Sequence, residues 1–340
     1  MRRRTLLRLR TVGVVALATA SIGSITALAY RGDMPRSILA GAFAGALSGV
    51  LLTLLEMAIN SRSGAATRRL PFTVLLLGRG VVYGIVVPVV DRACVFLISG
   101  HDVPWRFDIA LSFVLATAFN FVFLTRRHIG SAMFANLITG RYHQPRSERR
   151  LVMFLDLKHS TKTAEEIGDR AFLNLLNDIF FDVGEVISEF RGEIYRYVGD
   201  EVIATWTLRS PLSGPMCRDC AVAVQHVLAT HTDFYRQHYG FEPRMRCAIH
   251  AGGLVVGEVG DAKREIMLLG DTMNTAARIE GICRSSGHDI VASGPALSLM
   301  QPLPPGLSVT ALGAVELRGR KAPLPLFALE KRPAAEAGFA

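Results

Sequence analysis

Lysine is absent from the first 150 residues and acids are few: that stretch carries 19 Arg against 6 Asp or Glu, a balance of +13. Residues 151–340 carry 19 basic and 23 acidic residues, a balance of −4, so the +9 of the whole chain belongs to its first half. A second half without a basic surplus argues against a nucleic-acid groove, which needs Lys and Arg clustered on a soluble face. Cysteine is scarce too. Cys94, Cys217, Cys220, Cys247 and Cys283 are odd in number and widely spaced, which excludes a disulfide scaffold and suits a reducing compartment. Cys217 and Cys220 form a CxxC with no second pair and no His pair. They share a helical face with Val224 and Val227, so core packing is expected of them rather than metal or redox chemistry.

What the chain has in abundance is apolar side chains, half of its 340 residues. Runs long enough to cross ~30 Å of hydrocarbon lie at 12–30, 36–58, 71–90 (extending toward 98) and 107–124. Four spans leave both termini on one side, the side flanked by Arg2, Arg3, Arg4, Arg8 and Arg10, then Arg68 and Arg69, then Arg126 and Arg127. By the positive-inside rule that side is the cytoplasm, where these cations meet the lipid bilayer's anionic headgroups. The expected organisation is a transmembrane helical domain over 1–128, a cytoplasmic connector over 129–150, a soluble domain over 151–330 and a tail over 331–340, multi-pass in the inner (plasma) membrane. The opening Arg3-Arg4-Thr5-Leu6-Leu7 also has the form of an export signal, but three further spans follow, so the first is read as retained. Glu56 and Arg79 fall inside spans, where a charge either pairs or snorkels to the interface; snorkelling is the expectation.

Beyond the Pro-broken polar connector, Leu151-Val152-Met153-Phe154-Leu155-Asp156 is an apolar run ending in a carboxylate. It predicts a buried strand that delivers Asp156 at its carboxyl end. Phe172, Leu175, Leu176, Ile179, Val183, Val186 and Phe190 recur at helical spacing, so one long amphipathic helix is expected over about 161–190. Glu193–Val198 and Val202–Trp206 read as a hairpin with Asp200 at its tip. A helix near 215–239, strands near 245–250, 254–259 and 264–269, a helix near 271–285 and a final strand pair complete an α+β domain of ferredoxin-like arrangement.

A hairpin tip beside the first strand brings Asp156 and Asp200 toward one point. Two carboxylates held together call for a cation, and Mg²⁺ or Mn²⁺ sharing triphosphate oxygens answers that need. On local sequence alone, a turn-capping role accounts for each Asp at least as well. The longer segment decides between them. Phe154-Leu155-Asp156-Leu157-Lys158-His159-Ser160-Thr161, Tyr197-Val198-Gly199-Asp200-Glu201-Val202 and Leu269-Gly270-Asp271-Thr272-Met273-Asn274-Thr275-Ala276-Ala277-Arg278-Ile279-Glu280 stand in the order and spacing of the class III nucleotidyl cyclases, which residues 150–330 resemble.

The resemblance implies two Mg²⁺ or Mn²⁺ ions per active site at Asp156, Leu157 and Asp200, with Asn274 orienting the ribose and Arg278 stabilising charge on the reacting phosphate. Substrate contacts are implied at Ser160 and Thr161 and, near the carboxyl end, at Arg318 and Arg320, where a solvated charge run is an equal alternative. The implied reaction is attack of the ribose 3′-hydroxyl of ATP on its α-phosphate, releasing pyrophosphate and leaving cyclic AMP. The family's composite sites imply a homodimer. At the base-selecting pair the chain departs from the family, with Arg196 where adenylate cyclases usually have Lys, and Met267 where they usually have Asp or Thr. Adenine remains the expectation, because guanine's N1 and N2 are donors and Arg196 cannot accept. The alternatives are a guanylate cyclase of atypical base selection and a weakly catalytic, cyclase-like membrane sensor or scaffold. A diguanylate cyclase shares only Gly199-Asp200-Glu201.

Overall fold

The computed structural model describes residues 2–31, 35–59, 70–99, isolated positions between 113 and 136, 139–316 and 322–331. The chain divides into two compact units, residues 1–134 and 135–340.

The first unit contains α1 (Arg2–Arg31), α2 (Pro35–Ile59) and α3 (Phe72–Ser99). Two stretches, Pro35–Ile59 and Thr73–Ile98, are long and apolar enough to cross a bilayer, and in α1 the apolar stretch is Val12–Leu28. The described residues thus supply two helices of spanning length rather than the four expected, and most of 107–124 lies outside them, as do Arg68, Arg69, Arg126 and Arg127. Small residues let α1 and α2 approach closely: a methyl on Gly23 would stand 2.1 Å from the Gly41 carbonyl oxygen, and one on Gly45 2.2 Å from that of Thr19. Glu56 and Arg79 do not snorkel. Arg79 Nη1 lies 2.9 Å from Glu56 Oε1, and the Tyr83 hydroxyl donates to the same carboxylate. Pairing a buried charge avoids the desolvation cost that reaching for water would otherwise relieve.

The second unit is built on one mixed sheet of order β2-β3-β1-β4-β6-β8-β7, with β5 on β4. Its elements are β1 (Arg146–Leu157), α4 (Ser160–Ile167), α5 (Asp169–Glu189), β2 (Glu193–Val198), β3 (Glu201–Thr207), α6 (Ser213–Thr230), α7 (Thr232–Tyr239), β4 (Met245–Val259), β5 (Glu265–Leu269), α8 (Asp271–Ser286), β6 (Ile290–Ser293), α9 (Gly294–Leu299), β7 (Leu307–Val315) and β8 (Leu324–Lys331). β1 lies inside the sheet, between β3 and β4. Its Leu151, Met153, Leu155 and Leu157 face one core with Leu175, Ile179 and Val183 of α5 and Cys217 and Cys220 of α6. Val152 and Phe154 face a second core with Ala276, Ile279 and Cys283 of α8. The alternation is that of a strand covered on both faces.

Several boundaries differ from the expectation. β1 begins at Arg146, inside the connector, because Arg146–Arg150 pair with β4 over Gly252–Val256. The expected single helix over 161–190 breaks at Gly168 (φ 80°), and the one near 215–239 breaks at His231. The strands expected at 245–250 and 254–259 are one continuous β4. All five cysteines are buried and free, as core packing required.

Candidate active site

Asp156 is the last residue but one of β1, and the register sets it opposite Glu201 of β3 and opposite Arg246 of β4. Directly opposed residues share a face, so these three form one rung across the sheet. Asp156 Oδ2 accepts from Arg246 Nη1 at 2.8 Å and from Arg284 Nη2 at 3.4 Å, and Arg284 Nη2 also reaches Glu280 Oε1 at 3.1 Å. The hairpin turns through Gly199 (φ 60°), a left-handed conformation that glycine adopts without strain, and Asp200 follows at the tip.

Four acids therefore meet two cations. Burial, then the charges of Asp200 and Glu280, raises the Asp156 carboxyl, against the pull of Arg284 and Arg246. Glu201 is pushed up to about 7 by burial and by Glu280, Asp156 and Asp200. Asp200 Oδ2 and Glu201 Oε1 are buried with no hydrogen-bond partner among the described residues. Unsatisfied carboxylate oxygens beside other acids are the donor set a hard cation takes. Among the described residues no three His, Cys, Asp or Glu side chains form a ready metal cage.

Leu157 is buried and pairs with Met245, while Ser160 and Thr161 occupy the first turn of α4, which begins four residues past Asp156. Free backbone N–H groups at such a terminus favour anions. Asn274 is exposed and Arg278 partly exposed on α8, and neither is hydrogen-bonded or ion-paired to a described residue. The ion pairs that would make Arg278 a surface cation do not form: Glu280 is taken by Arg284, and Glu265 by Arg196 and Lys263. At 3.6 residues per turn, the Asn274/Arg278 face lies about 120° around the helix from the Glu280/Arg284 face that meets Asp156. So the two halves of the expected site are not brought together within this chain. Arg196 packs 5.4 Å over the Tyr195 ring, and Met267 sits on β5 opposite Gly257. Arg318 and Arg320 lie outside the described residues.

Sequence reasoning missed Arg246, Arg284, Glu201 and Glu280 as neighbours of Asp156. Glu201 and Glu280 stand inside the quoted motifs. Arg246 is a cross-strand partner, visible only once the β1–β4 register is known.

A family model described as the adenylate and guanylate cyclase catalytic domain matches residues 142–331. Adenylate cyclase 2 of Rhizobium meliloti is 33% identical over 221 residues, 64% of this chain and 61% of that protein. Adenylate cyclase 1 of the same organism is 30% identical over 181 residues, 52% of this chain and 26% of its own length. The chain thus spans less than two thirds of either relative. Among solved structures, a bacterial light-regulated adenylyl cyclase superposes with a TM-score of 0.55 at 16% identity, covering 66% of this chain and 65% of that one. The adenylyl cyclase CyaB from P. aeruginosa does so with 0.50 at 20% identity, covering 56% and 98%. At such identities these two speak for the fold alone. Because the family model covers more than half of the sequence, from Tyr142 in the connector to the last residue of β8, the chain belongs to the adenylate and guanylate cyclase catalytic-domain family.

Proposed function

We propose that this protein is a membrane-anchored adenylate cyclase, converting ATP to 3′,5′-cyclic AMP and pyrophosphate in a homodimer whose two active sites are each shared between protomers. The observation that carries the reading is the acid-rich rung at Asp156, with buried, unpartnered oxygens on Asp200 and Glu201. Two divalent cations bound there would lower the pKa of the ribose 3′-hydroxyl and offset charge on the departing pyrophosphate. Asp156 and Asp200 hold the acidic end open to a cation, while Arg246 and Arg284 keep Asp156 oriented until the substrate's phosphates arrive. The first turn of α4, with Ser160 and Thr161, offers N–H donors to phosphate oxygens. Asn274 and Arg278, four residues apart and unengaged, supply a ribose-directed amide and a guanidinium fork for the reacting phosphate. Because they face away from their own Asp156, they serve the site of a second copy, and an isologous dimer makes two such sites. The names of the two Rhizobium relatives support ATP as substrate. The apolar helices of the first unit support an anchor in the inner membrane with the catalytic unit in the cytoplasm, as part of signal transduction.

The test is product analysis. The purified full-length chain in detergent, given ATP or GTP with Mn²⁺, should yield cyclic AMP as its main product. A main product of cyclic GMP would turn the reading to a guanylate cyclase, and no cyclic product from either would leave a cyclase-like scaffold.

A further inference from the structure

The geometry points to Glu265 as the base-reading acceptor of this site, taking a hydrogen bond from the exocyclic amino group of adenine while Arg196 donates to the neighbouring N1. This rests on the proposed cyclase reading, in which positions 196 and 267 flank the purine. Met267 leaves that pocket short of an acceptor, since a thioether accepts only weakly. Glu265 stands two residues earlier on β5 and so on the same face of the strand. That face is turned from the core: Leu268 is buried and Ile266 packs with the second core, whereas Leu269 is exposed.

The Glu265 carboxylate bonds Arg196 Nη2 through Oε2 and Lys263 Nζ through Oε1 at 2.6 Å. Two things carry β2 across to β5. A register shift between Ile194 and Arg196 re-aims the strand, and the Leu268 backbone N–H donates to the Tyr195 hydroxyl at 3.2 Å. The ion pair is open to a ligand, with Arg196 40% and Glu265 35% exposed. A carboxylate has about four lone-pair sites, so two protein donors leave room for a third. Hydrogen bonding from Lys263 and the nearby Lys263 and Arg196 charges hold Glu265 below the usual carboxylate range, which keeps it ionised. One donor beside one acceptor matches adenine's N1 and N6–H. Guanine in the same pose would set its N1–H donor against Arg196 and its O6 acceptor against Glu265, a mismatch at both positions. Only Gly270 separates β5 from α8, so one continuous segment carries Glu265 for the base and then Asn274 and Arg278 for the ribose and phosphate.

The experiment compares full-length wild type, Glu265→Ala and Glu265→Gln, each checked for an unchanged Tm, on ATP, GTP and purine riboside triphosphate, which lacks the 6-amino group. Wild-type kcat/KM should fall about tenfold or more from ATP to purine riboside triphosphate. In Glu265→Ala the two should converge to within about twofold, through a raised KM for ATP, and the preference for ATP over GTP should shrink. Glu265→Gln keeps a carbonyl acceptor and should fall between. A Glu265→Ala loss equal on both adenine-like substrates is what a merely structural role produces, and it would overturn the inference while leaving the cyclase reading intact. A wild type that makes no cyclic product from any of the three overturns both.

Discussion

The two ends of β1 carry charge on the same face of the same strand and treat it in opposite ways. At the amino end, Glu148 takes hydrogen bonds from Arg141, Arg150 and Tyr142, and Arg150 in turn reaches Glu193 and Thr205. Each carboxylate there faces a guanidinium. Six residues on, about 20 Å along an extended strand, Asp156, Asp200, Glu201 and Glu280 face, among the described residues, Arg246 and Arg284, and two carboxylate oxygens are buried without a described partner. A protein gains no stability from crowding acids. The balanced end is a structural joint, whereas at the acid-rich end added positive charge would relieve repulsion, as the proposed function requires.

The largest effect expected from this contrast is on turnover. Asp156→Ala should lower cyclic nucleotide formation by at least about a thousandfold, since in the proposed reading it removes a metal-binding carboxylate from the reacting centre. Without divalent cation the variant's Tm should not drop, because mutual repulsion among the acids is relieved. Asp200→Ala should behave alike. Retained turnover in either would remove the metal assignment, and a collapsed Tm would make the acid end structural after all. At the other end the pattern should invert. Glu148→Ala leaves Arg150, only 4% exposed, without its main partner. It should cost about 3 kcal/mol of stability, measured by denaturant unfolding. A neutral result would mean that Glu193 alone suffices for Arg150.

A complementation experiment asks whether the acid end is half of a site. Asp156→Ala and Arg278→Ala should each be nearly inactive. Mixed in equal amounts, random pairing gives half heterodimers, each with one intact site of two, so about a quarter of wild-type activity should return. No recovery, with heterodimers verified by differential tags, would place all four residues in one protomer's site and contradict the outward face of Asn274 and Arg278.

Much of this was legible in the sequence because it depends on short-range pattern. The apolar run 151–155 gave β1, and Gly199-Asp200 gave the hairpin tip, since local chemistry dictates both. The third motif marked Asn274 and Arg278 as a pair but not the direction they face, because helical direction depends on which residues α8 buries, Ala276, Ile279 and Cys283. Arg246 and Arg284 lie 90 and 128 residues from Asp156. No local signal links positions so far apart. The breaks at Gly168 and His231 were lost within long amphipathic patterns, where hydrophobic spacing continues across a change of axis. Pairing between Glu56 and Arg79 depended on how α2 meets α3, which span lengths do not encode.

The smallest effect expected is a pH signature of opposite sign at the two ends. Burial pushes the Glu148 carboxyl up, but hydrogen bonds from Arg141 and Arg150 outweigh it and hold the group below its usual range. Its stabilisation is present above the unfolded value and is lost as pH falls through the folded one. Glu201 is the reverse: raised from 4.5 to about 7, it binds more protons folded than unfolded between those values. Stability should therefore decline as pH rises through that window and stay low above it. In cation-free buffer, Glu201→Gln should flatten the fall in Tm between about pH 5 and pH 8. Glu148→Gln should leave that slope alone but lower Tm by a steady amount above about pH 4.5, a deficit that closes as pH falls below it because wild type then loses what the variant never had. Added Mn²⁺ should raise the wild-type Tm most at pH 8, because a cation replaces the proton that the crowded acids otherwise need. Equal slopes for wild type and Glu201→Gln would mean that the acids at Asp156 are better solvated than their burial implies, and the contrast between the ends of β1 would then rest on partner geometry alone.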